Sequence, residues 1–592
     1  MNFYRSFETS VKYFFKQQYS IDVDEIDFQS TRKGYVGDIT LVVFPYVKKC
    51  QVSPQELANQ LGVYLENQNT YVKSYNVVGG FLNLSITDEF YSNTCQQIFQ
   101  CTDFGFQKTN KSSETVLVEF SSPNTNKPLH LGHIRNNLLG HAIANILEAN
   151  GKIVQRVQIV NDRGIHICKS MVAWKKFAKN QTPESTQTKG DHLVGQYYVT
   201  FEKEYKEQIK QLIDDGYSES DAKQKAPLLL EAQSVLRKWE SGHVSTINLW
   251  KQLNDWVYSG FNQTYEKLGV HFNKIYYESQ TYLLGREIVN KGLKNGILYK
   301  KEDGSIWIDL TQEGLDHKLL IRSDGTSVYM TQDLGTAVLR SEDFPKMNSM
   351  IYVVGNEQNY HFQVLFLILQ KLNYRWAENL IHLSYGMVDL PSGKMKSREG
   401  TVVDADELIR KMEETAKIKT QETGKVEHLE NHQKQELYSS IGLGALKYQL
   451  LKIDPKKRIL FNPSNSIDFQ GNTGTFIQYA YARINTMLSK TKKIEFSNKN
   501  GLVMESIEKE IINLLMLYPQ IILNAAEKLD PSLIANYLYD LVRHFNRFYQ
   551  NVPVLSASSS NQMAFRITLS KTVADTIKSA CSLLGISVPN QM

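Results

Sequence analysis

The stretch TVLVEFSSPNTNKPLHLGHIRNNLLG, residues 115–140, predicts the fold of this chain. It begins with a β-branched apolar run, continues through a loop of Pro, Asn and Ser, and from about His130 shows helical spacing of apolar residues. Strand, tight loop and helix is the opening unit of a nucleotide-binding α/β domain. The N-terminus of such a helix presents unpaired N–H groups and a positive dipole end, and phosphate therefore binds there.

His130 and His133 stand where this helix is predicted to begin. Because they are three residues apart, a helix turns both imidazoles to the same side, over the end of the strand. Gly132 between them has no side chain, so a flat base or ribose can lie against its backbone. Two other interpretations stay open for a His-x-x-His pair, a metal site and two surface histidines, although no third ligand with metal spacing is nearby.

Composition and charge describe an ordinary globular protein. The 592 residues suffice for about three to five domains, and 42% of them are hydrophobic. The net charge of +5 is small for this length and favours a polyanionic partner only mildly. Five cysteines without a C-x-x-C pair argue against a disulfide framework or a zinc ribbon and fit a reducing cytosol. No signal peptide and no apolar run near about 18 residues is recognisable, so we expect a cytoplasmic protein.

The sequence changes character along its length and predicts five regions. Residues 1–110 indicate a small α+β module, with a helix over residues 53–65 and strands over residues 38–47 and 79–86. Residues 173–251 are charged helical sequence and indicate an insertion. It divides an α/β domain composed of residues 111–172 and 252–400. Residues 401–450 then lead to a helix bundle over residues 451–592.

The second half of the α/β domain repeats the unit of the first half. Residues 350–372 combine a buried strand with an apolar helix, which implies a crossover connection and a mostly parallel sheet. Asp303-Gly304 and Asp324-Gly325 mark tight turns ahead of it. A site is expected at the carboxyl ends of the strands, where the strand order reverses.

Two loops and their flanks resemble a known family. HLGH, with EFSSPNTNKP before it and IRNNLLG after it, is similar to the HIGH signature of class I aminoacyl-tRNA synthetases and specifically to the arginyl family. GKMKSREG, residues 393–400, resembles the KMSKS loop, and QYAYARI and HFNRFY resemble the DALR-type anticodon-binding domain. The resemblance implies a Rossmann-type parallel-sheet core, an N-terminal α+β module that contacts the tRNA elbow and a C-terminal all-α anticodon-binding bundle.

The resemblance also implies roles for the residues of the two loops. His130 and His133 serve the phosphates, and Lys394 takes the first lysine position of the second loop. Ser397 stands where the second lysine is expected, which departs from the pattern. In the arginyl family a lysine at the position of Lys127 tends to accompany such a loop, so Lys127 is the expected replacement.

Arginine itself demands a particular pocket. Its guanidinium is planar and always charged, so carboxylates and an aromatic face should surround it. Candidates lie at predicted strand ends, and the resemblance places them around bound arginine: Asp333 and Tyr329 on the guanidinium, Glu119, Ser121 and Asn124 near the α-amino and carboxylate groups, and Gln358 in support. Asp333 has an alternative interpretation as an acid in the first turn of a helix that begins near Thr331.

A further set of positions is expected around ATP. The set consists of Pro123, Gly132, Gly355, His361, Gly386, Met387, Val388 and Met395. Mg²⁺ is expected as the partner of the ATP phosphates, and no metal site made by the protein is predicted.

The resemblance thus implies a monomeric arginine-tRNA ligase that uses ATP, L-arginine and arginine tRNA and has no membrane partner. Two alternatives stay open. One is another class I adenylate-forming enzyme, with lysine the nearest rival substrate. The other is a catalytically silent tRNA-binding or amino-acid-sensing paralogue, which the missing second loop lysine favours.

Overall fold

The computed structural model describes residues 3–24, 26–32, 34–389, 391, 403–422, 427–463, 466–491 and 502–592. Its N-terminal module packs helices on an antiparallel sheet of strand order β1-β2-β4-β3. The elements are α1 Arg5–Tyr19, β1 Phe28–Ser30, β2 Ile39–Val42, α2 Phe44–Cys50, α3 Pro54–Gln68, β3 Val72–Val78, β4 Phe81–Ile86 and α4 Asp88–Gln100.

One strand of this module is shorter than the sequence predicts. The apolar run of residues 38–47 continues as a strand only to Val42, and α2 begins at Phe44. Pro45 lies in the first turn of that helix, where proline is tolerated because the N–H it lacks has no intrahelical partner there. The expectation of a strand across residues 44–47 is therefore wrong.

The α/β domain is built on a five-stranded parallel sheet of order β12-β11-β5-β6-β7. Gly140 lets the first helix lie close to the first strand, since an added Cβ would come within 2.2 Å of the Phe120 ring. The elements are β5 Thr115–Glu119, α5 Leu131–Ala149, β6 Ile153–Val160, α6 Ile165–Phe177, β7 Lys274–Tyr277, α12 Glu278–Thr281, α13 Leu284–Lys294, α14 Tyr329–Asp343, β11 Met347–Gly355, α15 Asn359–Lys371 and β12 Leu380–Tyr385.

A small antiparallel sheet branches from this domain before α14. It contains β8 Tyr299–Lys300, β9 Ile306–Ile308 and β10 Lys318–Ile321, and the predicted turns at Asp303-Gly304 and Asp324-Gly325 join or follow its strands. Single turns of 3₁₀ helix occur at Thr311–Glu313, Asn356–Gln358 and Arg375–Asn379.

The insertion between β6 and β7 is entirely helical. It consists of α7 Pro183–Thr186, α8 Gly190–Asp214, α9 Glu219–Lys225, α10 Pro227–Glu240 and α11 Val244–Leu268. The boundary predicted at residues 251 and 252 falls within α11, which continues to Leu268.

The remainder of the chain is a helix bundle with one short strand pair. Its elements are β13 Val388–Asp389, α16 Ala405–Glu422, α17 Asn431–Leu451, β14 Ile459–Leu460, α18 Gly474–Leu488, α19 Ser506–Lys528, α20 Ser532–Asn551 and α21 Ser560–Leu583. β13 pairs with β14 in parallel. Helix α5 packs against α17, α19 and α21, so it lies between the parallel sheet and the bundle. Among the described residues, no helix is both long and apolar enough to cross a membrane.

Candidate active site

The site lies where the strand order of the parallel sheet reverses. From β5 the chain moves to β6 on one side, and later returns to β11 on the other side of β5. The loops after β5 and β11 therefore diverge and leave a crevice at the carboxyl ends of these strands. His130, Glu119, Asn124 and Gly355 all belong to these loops or strand ends, as the sequence predicts.

His130 and His133 form the floor of the crevice at the beginning of α5. His130 is the N-cap, and its Nδ1 accepts a hydrogen bond from Gly132 N at 3.1 Å. His133 Nδ1 accepts from His130 N at 3.2 Å, and the two rings lie 3.9 Å apart. Because both Nδ1 atoms accept, each neutral ring carries its proton on Nε2. Two N–H donors therefore stand at a positive helix end.

Both imidazoles are neutral at physiological pH. Burial and, to a smaller extent, the nearby Lys127 charge together lower the pKa of His130 to about 4. Burial, His130 and Lys127 lower the pKa of His133 well below its ordinary value. Lys127 therefore lies within electrostatic reach of both rings, and the three side chains together present donors to an anion.

The chain returns to this helix start directly after the KMSKS-like loop. Leu131 N donates to Val403 O at 3.1 Å, and Ala405 N donates to Leu129 O at 3.0 Å. Lys394, Met395 and Ser397 themselves lie outside the described residues. The segment that begins at Val403, after this loop, is thus bonded to the start of α5.

A half-buried ionic cluster joins this segment to the insertion. Asp406 accepts from Lys189 Nζ at 2.5 Å, His192 Nε2 at 3.1 Å and Thr264 Oγ1 at 3.1 Å. Burial opposes ionisation of Asp406, but the bonds from His192 and Lys189 lower its pKa, and the Asp406 bond raises the pKa of His192. Gly195 of α8 allows the helix to approach Pro128, since an added Cβ would lie 2.8 Å from its ring.

Asp333 is one of the residues that the sequence analysis expects to bind arginine. It lies in the first turns of α14, which begins at Tyr329 rather than near Thr331. Its Oδ2 is 2.6 Å from Nε2 of His361, the residue that the sequence analysis expects to contact adenosine. Tyr329 is 77% exposed, and Gln358 is exposed at the end of a 3₁₀ turn, so both are open to a ligand.

Glu119 and Ser121 are placed at the end of β5 but are already engaged. Glu119 is buried and forms an ion pair with Arg340, and its Oε1 accepts from Ser122 Oγ at 3.2 Å. Ser121 Oγ lies 2.6 Å from Tyr265 Oη, and Ser121 N donates to Asn136. Ser121 and Ser122 have left-handed backbone conformations, with φ of 83° and 47°. Such conformations cost about 1–3 kcal/mol per residue and are found most often at functional sites.

Pro123 and Asn124 continue this turn into the crevice. Pro123 is buried, and its carbonyl accepts from Asn161 N at 2.9 Å, while the side chain of Asn124 is exposed. Asn161 belongs to the NDRG turn after β6, so the loops that follow β5 and β6 are joined by backbone bonds.

The backbone segment predicted to hold the adenine base is bound within the protein. Arg135 donates to the carbonyls of Gly386 and Met387, and also to Pro455 O at 3.0 Å and Lys457 O at 2.8 Å. Val388 is buried and pairs with β14, while the Met387 side chain is 44% exposed. Gly355 ends β11 and is buried. Carbonyls of this segment thus hold Arg135 in place.

The structure adds one residue that sequence reasoning missed. Glu278 follows β7 directly and begins the one-turn helix α12. The pKa of Glu278 is raised to about 7: burial raises it most, the carboxylates of Asp162 and Asp333 raise it too, and Arg163 opposes the rise. A second half-buried carboxylate thus stands near Asp333. The available signal was an acid directly after a strand, YYE, at the far side of the insertion.

Known proteins resemble this chain over its full length. Residues 95–462 match the family described as tRNA synthetases class I (R), catalytic domain; residues 477–592 match the DALR anticodon binding domain, and residues 5–86 match the arginyl tRNA synthetase N terminal domain. Curated arginine-tRNA ligases of Flavobacterium psychrophilum and Bacteroides thetaiotaomicron are 52% and 51% identical, each over 98% of both chains. The arginyl-tRNA synthetase structure of Thermus thermophilus has the same fold, with a TM-score of 0.79 and 23% identity over 99% of this chain and 100% of that chain.

Proposed function

The chain belongs to the class I arginyl-tRNA synthetases, and from this membership we propose how its residues carry out the reaction. The enzyme activates L-arginine with ATP to arginyl-adenylate and pyrophosphate, and then transfers the arginyl group to the 3′-terminal adenosine of arginine tRNA. In the first step the arginine carboxylate attacks the α-phosphorus and pyrophosphate leaves. In the second a ribose hydroxyl attacks the acyl carbon, its proton is released, and AMP leaves. The observation that carries the residue assignment is the pair of Nε2 donors that His130 and His133 present at the start of α5.

We infer that the phosphate side consists of His130, His133 and Lys127. Charge moves onto the α-phosphate and the departing pyrophosphate as the adenylate forms, and fixed donors stabilise such charge without reorganising. The neutral histidines offer Nε2–H groups, and Lys127 supplies the positive charge. Lys394 and Ser397 complete this side in the proposal, with Lys127 replacing the lysine that Ser397 does not provide.

We propose that the guanidinium is held by Asp333 and Glu278. Two carboxylates can receive a planar cation by parallel hydrogen bonds, and Tyr329 offers an exposed ring to its face. An ammonium would leave an acceptor unpaired, which disfavours lysine. Asn124 and Gln358 then serve the α-amino and carboxylate end. In this proposal Glu119 supports the pocket without pairing with arginine, because its charge is already paired with Arg340.

Mg²⁺ is proposed to arrive with ATP rather than in a protein cage. In the described part of the chain, Asp191, His192 and Asp406 come close enough to suggest a metal site. The Lys189 ammonium already lies 3.2 Å from Asp191 and 2.5 Å from Asp406, so a cation fills that position. These residues therefore do not fit a metal ion, and phosphate oxygens with water suffice as ligands.

The anticodon is proposed to bind a cavity of about 560 Å³ in the C-terminal bundle. The cavity combines aromatic rings with three arginines, which suits stacked bases on a phosphate backbone. Arg483 lies 4.8 Å from the Tyr479 ring and 5.4 Å from the Tyr549 ring, so its planar group is already held for stacking. Other lining residues are Phe469, Phe476, Arg543, Asn546, Arg547 and Met592. Arg483→Ala should weaken tRNA binding and leave the arginine KM unchanged.

The tRNA elbow is proposed to contact the N-terminal module. A cavity of about 240 Å³ on its sheet is lined by Phe81, Asn83 and Tyr35, and Arg32 lies 5.9 Å from the Phe81 ring. An exposed ring beside an amide and a guanidinium can stack and hydrogen-bond one unpaired base. Since the sites for arginine, ATP and tRNA all lie on this chain, we propose a monomer. All five cysteines are free, which fits the cytosol.

Asp333→Ala tests the arginine pocket. Removing one carboxylate from a desolvated ion pair costs about 2–3 kcal/mol, so the arginine KM should rise about 30- to 150-fold while the ATP KM stays within about twofold. Asp316→Ala is the matched control, since that side chain is 91% exposed. An unchanged arginine KM in Asp333→Ala would remove this residue from the pocket.

A further inference from the structure

The NDRG turn after β6, which the reaction leaves unused, holds both ends of helix α12. At its first end, Asp162 Oδ1 accepts from Ser279 N at 2.8 Å and Oδ2 accepts from Ser279 Oγ at 2.7 Å. Asp162 is 1% exposed and also accepts from Tyr258 Oη at 2.9 Å. Ser279 is the neighbour of Glu278, so these bonds fix the backbone that carries the Glu278 carboxylate.

Arg163 holds the other end of the same helix. Its guanidinium carbon lies 3.9 Å from the centroid of Tyr282, which caps α12, and 5.5 Å from that of Trp239. Nη2 also donates to Glu240 at 3.0 Å, and the Arg163 side chain is 11% exposed. Trp239 and Glu240 are the last residues of helix α10, so the insertion supplies part of the contacts around Arg163.

Arg163 is also the positive group next to Glu278. The ionisable groups that act on Glu278 are Arg163, Asp162 and Asp333, two acids and one base. Without the Arg163 charge, burial and the two acids would all favour the protonated form of Glu278. A protonated Glu278 carboxyl would lack the negative charge that pairs with a guanidinium.

We propose that Arg163 is a positioning residue for the arginine substrate, which it serves by fixing helix α12 and by presenting a positive charge to the Glu278 carboxylate that this helix carries. The inference rests on the proposed role of Glu278 in the arginine pocket. It gives the helical insertion a part in substrate recognition, because Trp239 and Glu240 hold Arg163 from the far side.

The test compares the arginine KM of full-length variants in ATP–pyrophosphate exchange with arginine tRNA present. Arg163→Ala should raise the Glu278 pKa further above its ordinary value, so the ionised fraction at pH 7 falls and the arginine KM rises severalfold. The KM should then fall again as the pH is raised to about 8.5, whereas a merely structural defect would persist. Tyr282→Leu removes the ring but keeps the charge, and should raise the KM without shifting its pH dependence. Arg237→Ala, an exposed arginine of the same helix α10, is the control.

The double variant Arg163→Ala/Glu278→Gln separates this inference from the proposal beneath it. We expect Glu278→Gln to raise the KM by itself, and Arg163→Ala to add little in that background. If Glu278→Gln leaves the KM unchanged, the proposed pocket is wrong and the inference falls with it. If Glu278→Gln raises the KM and Arg163→Ala adds its full effect, the pocket stands and the role of Arg163 is refuted.

Discussion

Raising the pH from about 6 to about 8 should tighten arginine binding about tenfold. The Glu278 carboxylate, whose pKa burial raises to about 7, must be ionised to pair with a guanidinium. About one tenth of it is ionised at pH 6 and about nine tenths at pH 8, and the apparent dissociation constant varies inversely with that fraction. The affinity rises with pH because the raised pKa leaves a proton on Glu278 in the free protein, and the bound cation displaces that proton. Arginine binding near pH 7 should therefore release about half a proton per site.

Calorimetric titration with arginine, in two buffers of different ionisation enthalpy, measures the affinity and the released proton together. Glu278→Gln should bind more weakly and show a nearly flat pH dependence. Glu278→Gln leaves the contact between His361 and Asp333 in place, so the comparison isolates the Glu278 carboxylate. A wild-type affinity that does not change with pH, or a slope that survives in Glu278→Gln, would refute the reasoning.

Substitutions at three further positions test the phosphate side and the bundle. His133→Asn keeps an acceptor for the His130 amide but loses the Nε2 donor, so pyrophosphate exchange should fall about 10²-fold or more with an unchanged melting temperature. His133→Gln keeps a donor at the Nε2 position and should retain part of the rate. Equal rates in the two variants would exclude the donor role. Lys127→Ala should slow exchange more than it changes the arginine KM, and an intact rate would mean that Lys127 does not replace the missing loop lysine. Glu508→Gln removes the carboxylate 2.7 Å from the buried Arg566 charge, and should lower the free energy of unfolding of the bundle by about 3 kcal/mol in denaturant. Glu510→Gln is the control, because Glu510 pairs with the exposed Arg547. A loss of unfolding free energy no greater than in this control would contradict the burial argument.

The regular elements of the fold are predictable because their signals are local. The β-branched run, loop and helix of residues 115–140 fold as β5, a turn and α5, with His130 at the cap position that the pattern indicates. The extent of the insertion was not predictable, since α11 has the same amphipathic pattern before and after residue 251. The strand predicted across residues 44–47 failed for a local reason, a proline compatible with a helical first turn.

Side-chain partners are less predictable than elements because they depend on distant residues. Glu119 meets Arg340, 221 positions later, and nothing near either residue announces the pair. Arg135 likewise meets carbonyls of Gly386 and Lys457. Glu278 has no motif of its own, and only the return of β7 to the sheet beside β6 brings it near Asp333.

Arginine-dependent ATP–pyrophosphate exchange, run with and without arginine tRNA and with lysine in place of arginine, tests the central claim most directly. The account predicts exchange with arginine in the presence of tRNA and none with lysine, because a pocket with two carboxylates leaves an acceptor unpaired against an ammonium. Absence of exchange in every mixture, with tRNA still bound, would contradict it and identify a silent tRNA-binding protein.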